Sequence, residues 1–273
     1  MDGAGEFEPW AAVGERESVS ALLERALEEE TAAAARLAPE ARRARMRWYR
    51  RARQLAAHLD AAGIDVPAEH LTRYAAPPVR RTRLPGKYQM RCLNNLREHA
   101  RFAALFPELM GAGEPRRFRD LSAGPCANHE VIAHYGHVVE LSDFFGARRR
   151  MRGAAYRNIH ADIGCEVMHF DGSQLPYAAP GAPYDHVLCY QAIDAYAPSE
   201  GWAERIDAML GMATRSVALI FNPPAPGEGL SRDAATTDAL VDLVLEEIET
   251  PVQIRKTHCP DTGLPAAVIA RAR

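Results

Sequence analysis

Three aspartates each follow a short run of β-forming residues: Asp120 in "FRDLSAGPC", Asp143 in "HVVELSDFF" and Asp171 in "CEVMHFDGSQLPY". An acid that ends a strand of a doubly wound sheet stands at the carboxyl edge, where such sheets hold ligands. Gly124 can take the positive dihedral that a tight strand-to-helix turn needs, so backbone can come close to a ligand. Asp143 follows Gly124 by 19 residues. That is close to the roughly 20 residues separating such a turn from an acid that accepts hydrogen bonds from ribose hydroxyls. Asp171, after the third strand, is placed to accept from the exocyclic amino group of an adenine. The turn is not G-x-G-x-x-G and brings no glycine up to a pyrophosphate. The pattern therefore suits a nucleoside without phosphates.

The fourth and fifth strand ends, "CYQAID" and "NPPAP", add Tyr190, Gln191 and Asn222 as candidates for lining a substrate. Other residues offer less. Asp143 and Asp171 could also be helix N-caps, since aspartate is favoured there. His134 and His137 share one side of a helix but His129 does not, so no metal site is expected. His99, on an apolar stripe, reads as a satisfied core histidine, and His186, inside a strand, reads likewise. The five cysteines are odd in number and include no C-x-x-C pair, so neither a disulfide framework nor a cysteine zinc site is suggested.

The elements that must position these residues change period near Pro115. From Glu15 to about Gly111 the pattern is helical, in "ESVSALLERALEEETAAAARLA", "PEARRARMRWYRRARQLAAHLDAAG" and "GKYQMRCLNNLREHARFAALF". Trp48, Ala52, Leu55 and Leu59 fall on one face of the second helix, with most arginines on the other. Tyr88, Cys92, Leu96, His99, Ala103 and Phe106 make a stripe on the third, and "YAAPPVRRTRLPGK" between the two is a Pro-rich connector that could act as a hinge or lid. After Pro115, short β-type runs alternate with helical stretches, one of them expected over "FFGARRRMRGAAY". That alternation predicts a mostly parallel α/β sheet with helices on both faces. The last two strands, joined by "PDTGLP", should pair antiparallel. The expected organisation is a loose tail over 1–14, a helical cap over 15–112 and a ligand-binding domain over 113–273.

Net charge is only -3, but residues 42 to 87 carry twelve Arg or Lys against three Asp or Glu. No apolar run approaches the roughly 18 residues of a membrane span, and the acidic start "MDGAGEFEPW" lacks a basic signal region. The expected location is the cytoplasm, with no membrane partner.

These motifs resemble those of the class I S-adenosylmethionine-dependent methyltransferases, over roughly Arg119 to Arg273. Within that class they look most like the small-molecule N-methyltransferases acting on nicotinamide and phenylethanolamine. There D-[IV]-G-S-G-P-T stands beside "DLSAGPC", T-D-[YF] beside "SDFF", C-D-V-T-Q-S-Q-P beside "FDGSQLPY" and L-D-A-A-C-P beside "IDAYAPS". The resemblance implies a Rossmann-like seven-stranded methyltransferase sheet with its last strand antiparallel, S-adenosyl-L-methionine as cofactor, and a small molecule methylated on N or O. It implies a cofactor surface made by Asp120, Ser122, Ala123, Gly124 and Pro125, by Asp143 and Phe144, by Asp171 and Gly172, and by Tyr190 and Gln191. Tyr88 would take the part of an N-terminal tyrosine covering the cofactor. Ser122 stands where the family has its first glycine, Cys126 where the broader class has its third, and Asn222 where the family has an acid that contacts the amine. Two alternatives follow from the same residues: a nucleic-acid methyltransferase guided by the arginine helix 42–53, and a catalytically inactive methyltransferase fold serving as a binding or scaffold protein. The sequence assigns no oligomeric state and no general base.

Overall fold

A computed structural model describes residues 17–35, 37, 39–73, 90–111, 113–146, 156–177, 183–223 and 236–272. The expected tail, the whole Pro-rich connector and Tyr88 lie outside the described residues.

The N-terminal helices are α1 (Val19–Ala34), α2 (Pro39–Ala61), α3 (Ala68–Leu71) and α4 (Arg91–Leu105). Helix α2 begins on a proline, whose missing N–H costs nothing in a first turn, and buries Tyr49, Ala52, Leu55, Ala56 and Leu59. Trp48 is only partly buried, so the aromatic anchor of that face is its neighbour Tyr49. These side chains pack with Val19, Leu23 and Leu27 of α1 and with Leu93 and Leu96 of α4 into a core separate from that of the sheet. The opposite face of α2 exposes Arg42, Arg43, Arg47 and Arg50, while Arg53 pairs with Glu24 at 2.6 Å.

Beyond a 3-10 turn at Pro107–Leu109 come β1 (Arg117–Asp120), α5 (Ala127–His134), β2 (Val138–Asp143), α6 (Arg157–Ile163) and β3 (Val167–His169). The chain continues through β4 (Tyr184–Tyr190), α7 (Ile193–Tyr196), α8 (Trp202–Met212), β5 (Ala213–Ile220), α9 (Thr237–Glu246), β6 (Val252–His258) and β7 (Pro265–Arg271). The strands form one sheet in the order β3-β2-β1-β4-β5-β7-β6. Its first five strands are parallel, and β7 runs antiparallel to both its neighbours. This is the expected Rossmann-like methyltransferase sheet. Central β4 and β5 are nearly continuously buried, as a strand covered on both faces must be, while the edge strand β6 is mostly exposed.

One element differs from expectation. Within the helix expected over 144–156, Phe144, Phe145 and Gly146 are not helical and residues 147–155 lie outside the described residues; α6 spans Arg157–Ile163. Among the described residues no helix is long and apolar enough to cross a membrane.

Helix α4 joins the two cores. Its first half packs in the helical cluster, and Phe102, Leu105 and the following Phe106 pack on the sheet beside Phe118 and Ile132. Where it meets α3 and α5, His70 Nδ1 and His99 Nε2 are 3.0 Å apart, and His99 Nδ1 is 2.9 Å from the Tyr135 hydroxyl. The imidazole of His134 lies edge-on to both histidines. Two facing ring nitrogens share one proton, and a second would set donor against donor. Burial lowers the pKa of His70, and of His99 well below the ordinary 6.5, helped for His99 by its two histidine neighbours. The unfolded chain therefore binds more protons than the folded one just below pH 6.5, so this junction loses stability as the pH falls through that value and is indifferent above it. Asp120, raised to about 7, acts with the opposite sign in any variant, so urea unfolding at pH 5.0 and 7.5 should show His99→Gln less stable overall but with its stability at the lower pH, relative to the higher, above that of wild type. An equal difference in both proteins would remove the junction as its source.

Candidate functional site

The turn after β1 is held from below. Asp120 ends the strand fully buried; its Oδ1 accepts from the Ser122 backbone N–H at 2.9 Å and its Oδ2 from Asn128 Nδ2 at 3.0 Å. Burial pushes its pKa up to about 7, against those two hydrogen bonds, which lower it. Asp120 is thus committed to bracing the turn and the start of α5, and it is not among the residues that line the cleft above.

Ser122 has the best-defined role of the residues that depart from the resembling family. Its Oγ accepts from the Tyr190 backbone N–H at 3.1 Å and donates to the Tyr190 carbonyl at 3.3 Å. The ladder between β1 and β4 ends at Leu188, so one hydroxyl continues it where the two strands part. Both roles of the hydroxyl are used within the sheet edge. Ser122→Ala would leave the Tyr190 N–H without this acceptor, at a cost of about 1–2 kcal/mol. Chemical denaturation should read that loss, while nucleoside affinity changes by less than about threefold.

Gly124 sits at φ 50°, in the left-handed region, and a Cβ there would meet only ordinary contacts. Glycine is needed for its dihedral and not for space. Its N–H donates to Asp143 Oδ2 at 2.8 Å, and its carbonyl accepts from His160 Nε2 at 2.7 Å. The other carboxylate oxygen, Asp143 Oδ1, accepts from the Phe144 N–H at 2.7 Å. Burial raises the Asp143 pKa against the two backbone hydrogen bonds. The end of β2 is therefore locked to the turn after β1, with a carboxylate at the junction. Cys126 follows in the same left-handed conformation, φ 61°, at the start of α5. Cysteine tolerates that region poorly, so the surrounding turn holds it there.

Above this junction opens a cleft of about 530 Å³, within the usual range for a small-molecule site. One part of its wall is aromatic, from Phe144, Tyr156 and Tyr196. Another is polar, from Arg97, Glu98 and Arg101 of α4 with Gln191, Asp194 and Asn222 at the ends of β4 and β5. Arg101 Nη1 pairs with Glu98 at 2.6 Å, and Nη2 donates to Gln191 Oε1 at 2.7 Å. Gln191 Nε2 donates to Asn222 Oδ1 at 3.2 Å, and Asn222 Nδ2 donates to Asp194 Oδ1 at 3.0 Å. This chain of side chains crosses from α4 to the fifth strand end. It fixes which way each amide points, since each oxygen in it accepts and each nitrogen donates. Gln191 holds its place at φ 55°, a conformation that costs a non-glycine residue of order 1 kcal/mol and clusters at functional sites. Burial drives the Tyr190 pKa well above its ordinary value, so its phenol is no base near neutrality.

No family model matches the sequence, and no curated protein matches it. Solved structures resembling the chain include magnesium protoporphyrin IX methyltransferase from Synechocystis PCC 6803 with bound SAM. It is 18% identical, with a TM-score of 0.44, over 66% of this chain and 81% of that one. An amino pentose methyltransferase from Micromonospora echinaspora, also SAM-bound, is 15% identical, with a TM-score of 0.44, over 64% of this chain and 89% of that one. A SAM-dependent methyltransferase from Aquifex aeolicus is 18% identical, with a TM-score of 0.40, over 63% and 92%. The sheet order itself, and not these distant likenesses, carries the fold.

Of the residues singled out from sequence, Ser122, Ala123, Gly124, Pro125, Asp143, Phe144, Tyr190, Gln191 and Asn222 all line the one cleft. Asp171 and Gly172 do not. Asp171 Oδ1 accepts from both the backbone and the hydroxyl of Ser173, and Gly172 lies directly against the Tyr196 ring. The wall residues Arg97, Glu98, Arg101, Tyr156, Asp194 and Tyr196 were not among those candidates. Tyr196 and Asp194 stood inside the quoted "IDAYAPS". The α4 residues carried only one signal, the helical spacing of Arg97, Glu98 and Arg101 beside the apolar stripe. Among the described residues no cluster of His, Cys, Asp or Glu could hold a metal ion.

Proposed function

We propose that this chain is an S-adenosylmethionine-dependent methyltransferase that methylates N or O of a small molecule. The observation that carries the reading is the Asp143 carboxylate, hydrogen-bonded to the Gly124 N–H where β2 meets the first turn and lining the cleft. Each oxygen spends one acceptor site on backbone and keeps another for a ribose hydroxyl. Phe144, Tyr156 and Tyr196 supply flat apolar surface for a base. The turn has one glycine and no lysine, which favours a nucleoside over a nucleotide.

The cofactor brings a methyl group already activated on a sulfonium. What remains for the protein is to hold donor and acceptor in line and at near-attack distance, which can supply most of the rate enhancement. Tyr190, Gln191 and Asn222 stand at the strand ends where an acceptor would meet the methyl, and the Arg101–Gln191–Asn222–Asp194 chain keeps their polar atoms oriented. The closer affinity to the nicotinamide and phenylethanolamine enzymes rests on the four sequence motifs. Asn222 stands where those enzymes keep an acid, and here Asp194 lies within hydrogen-bonding distance of it. An amine acceptor would still find a carboxylate there.

Calorimetry with S-adenosylhomocysteine, followed by labelled-methyl transfer to a panel of small amines, phenols and carboxylic acids, tests the reading. Binding without transfer to any acceptor would favour a scaffold. Transfer to RNA, with affinity falling steeply in salt, would favour the arginine helix as a guide.

A further inference from the structure

Three guanidinium groups gather around Asp261, which lies in the turn between β6 and β7. Arg97 Nε donates to its Oδ2 at 2.6 Å, Arg51 Nε to its Oδ1 at 2.8 Å, and Arg101 Nη2 stands 3.9 Å away. Glu98 is the second carboxylate of the group, paired with Arg101. Three cations against two carboxylates leave one positive charge in surplus. The surplus does not fall on Arg51, whose side chain is 43% exposed and screened by water. Nor does it fall on Arg101, whose two terminal nitrogens are engaged by Glu98 and Gln191.

Arg97 is different. Its side chain is 9% exposed and it lines the cleft, yet it uses only its Nε–H; neither Nη has a hydrogen-bond partner among the described residues. A guanidinium carries five N–H donors in a planar fork. Both Nη atoms are reached by solvent and take no partner among the described residues, so an anion in the cleft can use the open edge of the fork. The planar fork matches two oxygens of one anion. Asp261, itself held by Arg51, takes the Nε–H and so sets which edge remains for the cleft.

We propose that Arg97 is a carboxylate-binding residue of the cleft, taking the carboxylate of either the cofactor's amino-acid end or the methyl acceptor. This rests on the methyltransferase reading. A carboxylate is favoured over a phosphate because the surplus is a single charge and Glu98 and Asp194 line the same cleft. A dianion would be repelled there.

The test compares S-adenosylhomocysteine, which has the carboxylate, with 5′-methylthioadenosine, which lacks the amino-acid end, on wild-type protein, Arg97→Met and Arg97→Lys. If Arg97 holds the cofactor, Arg97→Met weakens S-adenosylhomocysteine at least about tenfold and leaves methylthioadenosine unchanged. Arg97→Lys, which keeps the charge and loses the fork, falls between. If Arg97 holds the acceptor, both nucleosides bind all three proteins alike. Acetate and benzoate, tested against acetamide and benzamide, then bind nucleoside-saturated wild-type protein and not Arg97→Met. Unchanged affinity for every probe would overturn the proposal, as would an equal loss for both nucleosides, which marks a merely structural arginine. Should Arg97→Met fail to fold, Arg97→Lys decides by the same comparison. If wild-type protein bound neither nucleoside, the methyltransferase reading would fail by itself, and the carboxylate arm, run without nucleoside, would still decide for or against Arg97.

Discussion

Asp143→Ala should lower affinity for S-adenosylhomocysteine by about two orders of magnitude, the largest loss expected from any single replacement in the cleft. The estimate follows from the contacts the carboxylate can still make. Two ribose hydroxyls donating to an ionised, partly buried acid are each worth roughly 1.5–3 kcal/mol, and 1.4 kcal/mol is a factor of ten. The replacement also strips the Gly124 and Phe144 N–H groups of their acceptor, so the first turn loses its tie to β2 and the thermal midpoint should fall with the affinity. Asp143→Asn separates these effects poorly, because its amide nitrogen must face one of the two backbone donors. The discriminating probe is methylthioadenosine. It retains the ribose and should lose as much affinity as S-adenosylhomocysteine does, unlike the selective loss proposed for Arg97. Affinity within threefold of wild type, measured by calorimetry on folded protein, would mean that the ribose lies elsewhere.

The part of this architecture that could be read in advance is the part governed by local rules. Alternation of β-type and helical runs predicts a parallel sheet because strands buried on both faces have no polar side to show. The strand ends announced the cleft because acids and a glycine stood directly after the apolar runs. Asp120 shows the limit of that reasoning. It has the same sequence position relative to its strand as Asp143, but the structure turns its carboxylate beneath the turn, to Ser122 and Asn128. Spacing gives the strand end, not the side on which an acid finds its donors. Ser122 shows the converse. A residue that breaks a glycine pattern looks like damage until its hydroxyl is seen to replace a rung of the β1–β4 ladder.

What could not be read was made by distant pairs. Arg97 meets Asp261 across 164 residues, and Arg101 meets Gln191 across 90. Neither "NLREHARF" nor "PDTGLP" carries a mark of its partner. Within its own segment α4 is a helix with an apolar stripe, and its charges Arg97, Glu98 and Arg101 look like a solvated face. They are buried because α4 is packed on both sides, by α2 and α3 in one core and by α5 and the sheet in the other. Charges enclosed in that way must be paired or be used. Arg51 belongs to the arginine run of α2, and its bond to Asp261 takes one member of that run out of any account based on a uniform basic surface.

Gly172→Ala should be the most damaging small change outside the cleft. A Cβ at this position would fall inside the van der Waals envelope of Cγ, Cδ1 and Cδ2 of Tyr196, and the Tyr196 ring has little room to withdraw. Tyr196 is buried, its hydroxyl donates to the Leu121 carbonyl at 2.7 Å, and its ring packs edge-on to Phe170 at 5.8 Å. On the other side, the Gly172 carbonyl accepts from the Tyr177 hydroxyl at 2.7 Å, which resists movement of the backbone away from the ring. Overpacking of this kind costs about 1–3 kcal/mol, and releasing a buried hydroxyl from its partner adds roughly 1 kcal/mol. Stability should therefore fall by about 3 kcal/mol, or roughly 6–12 °C in a domain of this size. Because Tyr196 also lines the cleft, nucleoside affinity should fall with it, by about tenfold. Gly211→Ala is the matched control: its Cβ would meet nothing within 4 Å on α8, and it should stabilise by up to about 1 kcal/mol. Coupling to the ring can be measured directly. In a double-mutant cycle with Tyr196→Leu, which shortens the side chain, Gly172→Ala should cost at least 1 kcal/mol less than it does in wild type. Additive costs would show that the strain lies in the backbone of the Asp171–Ser173 turn and not against Tyr196.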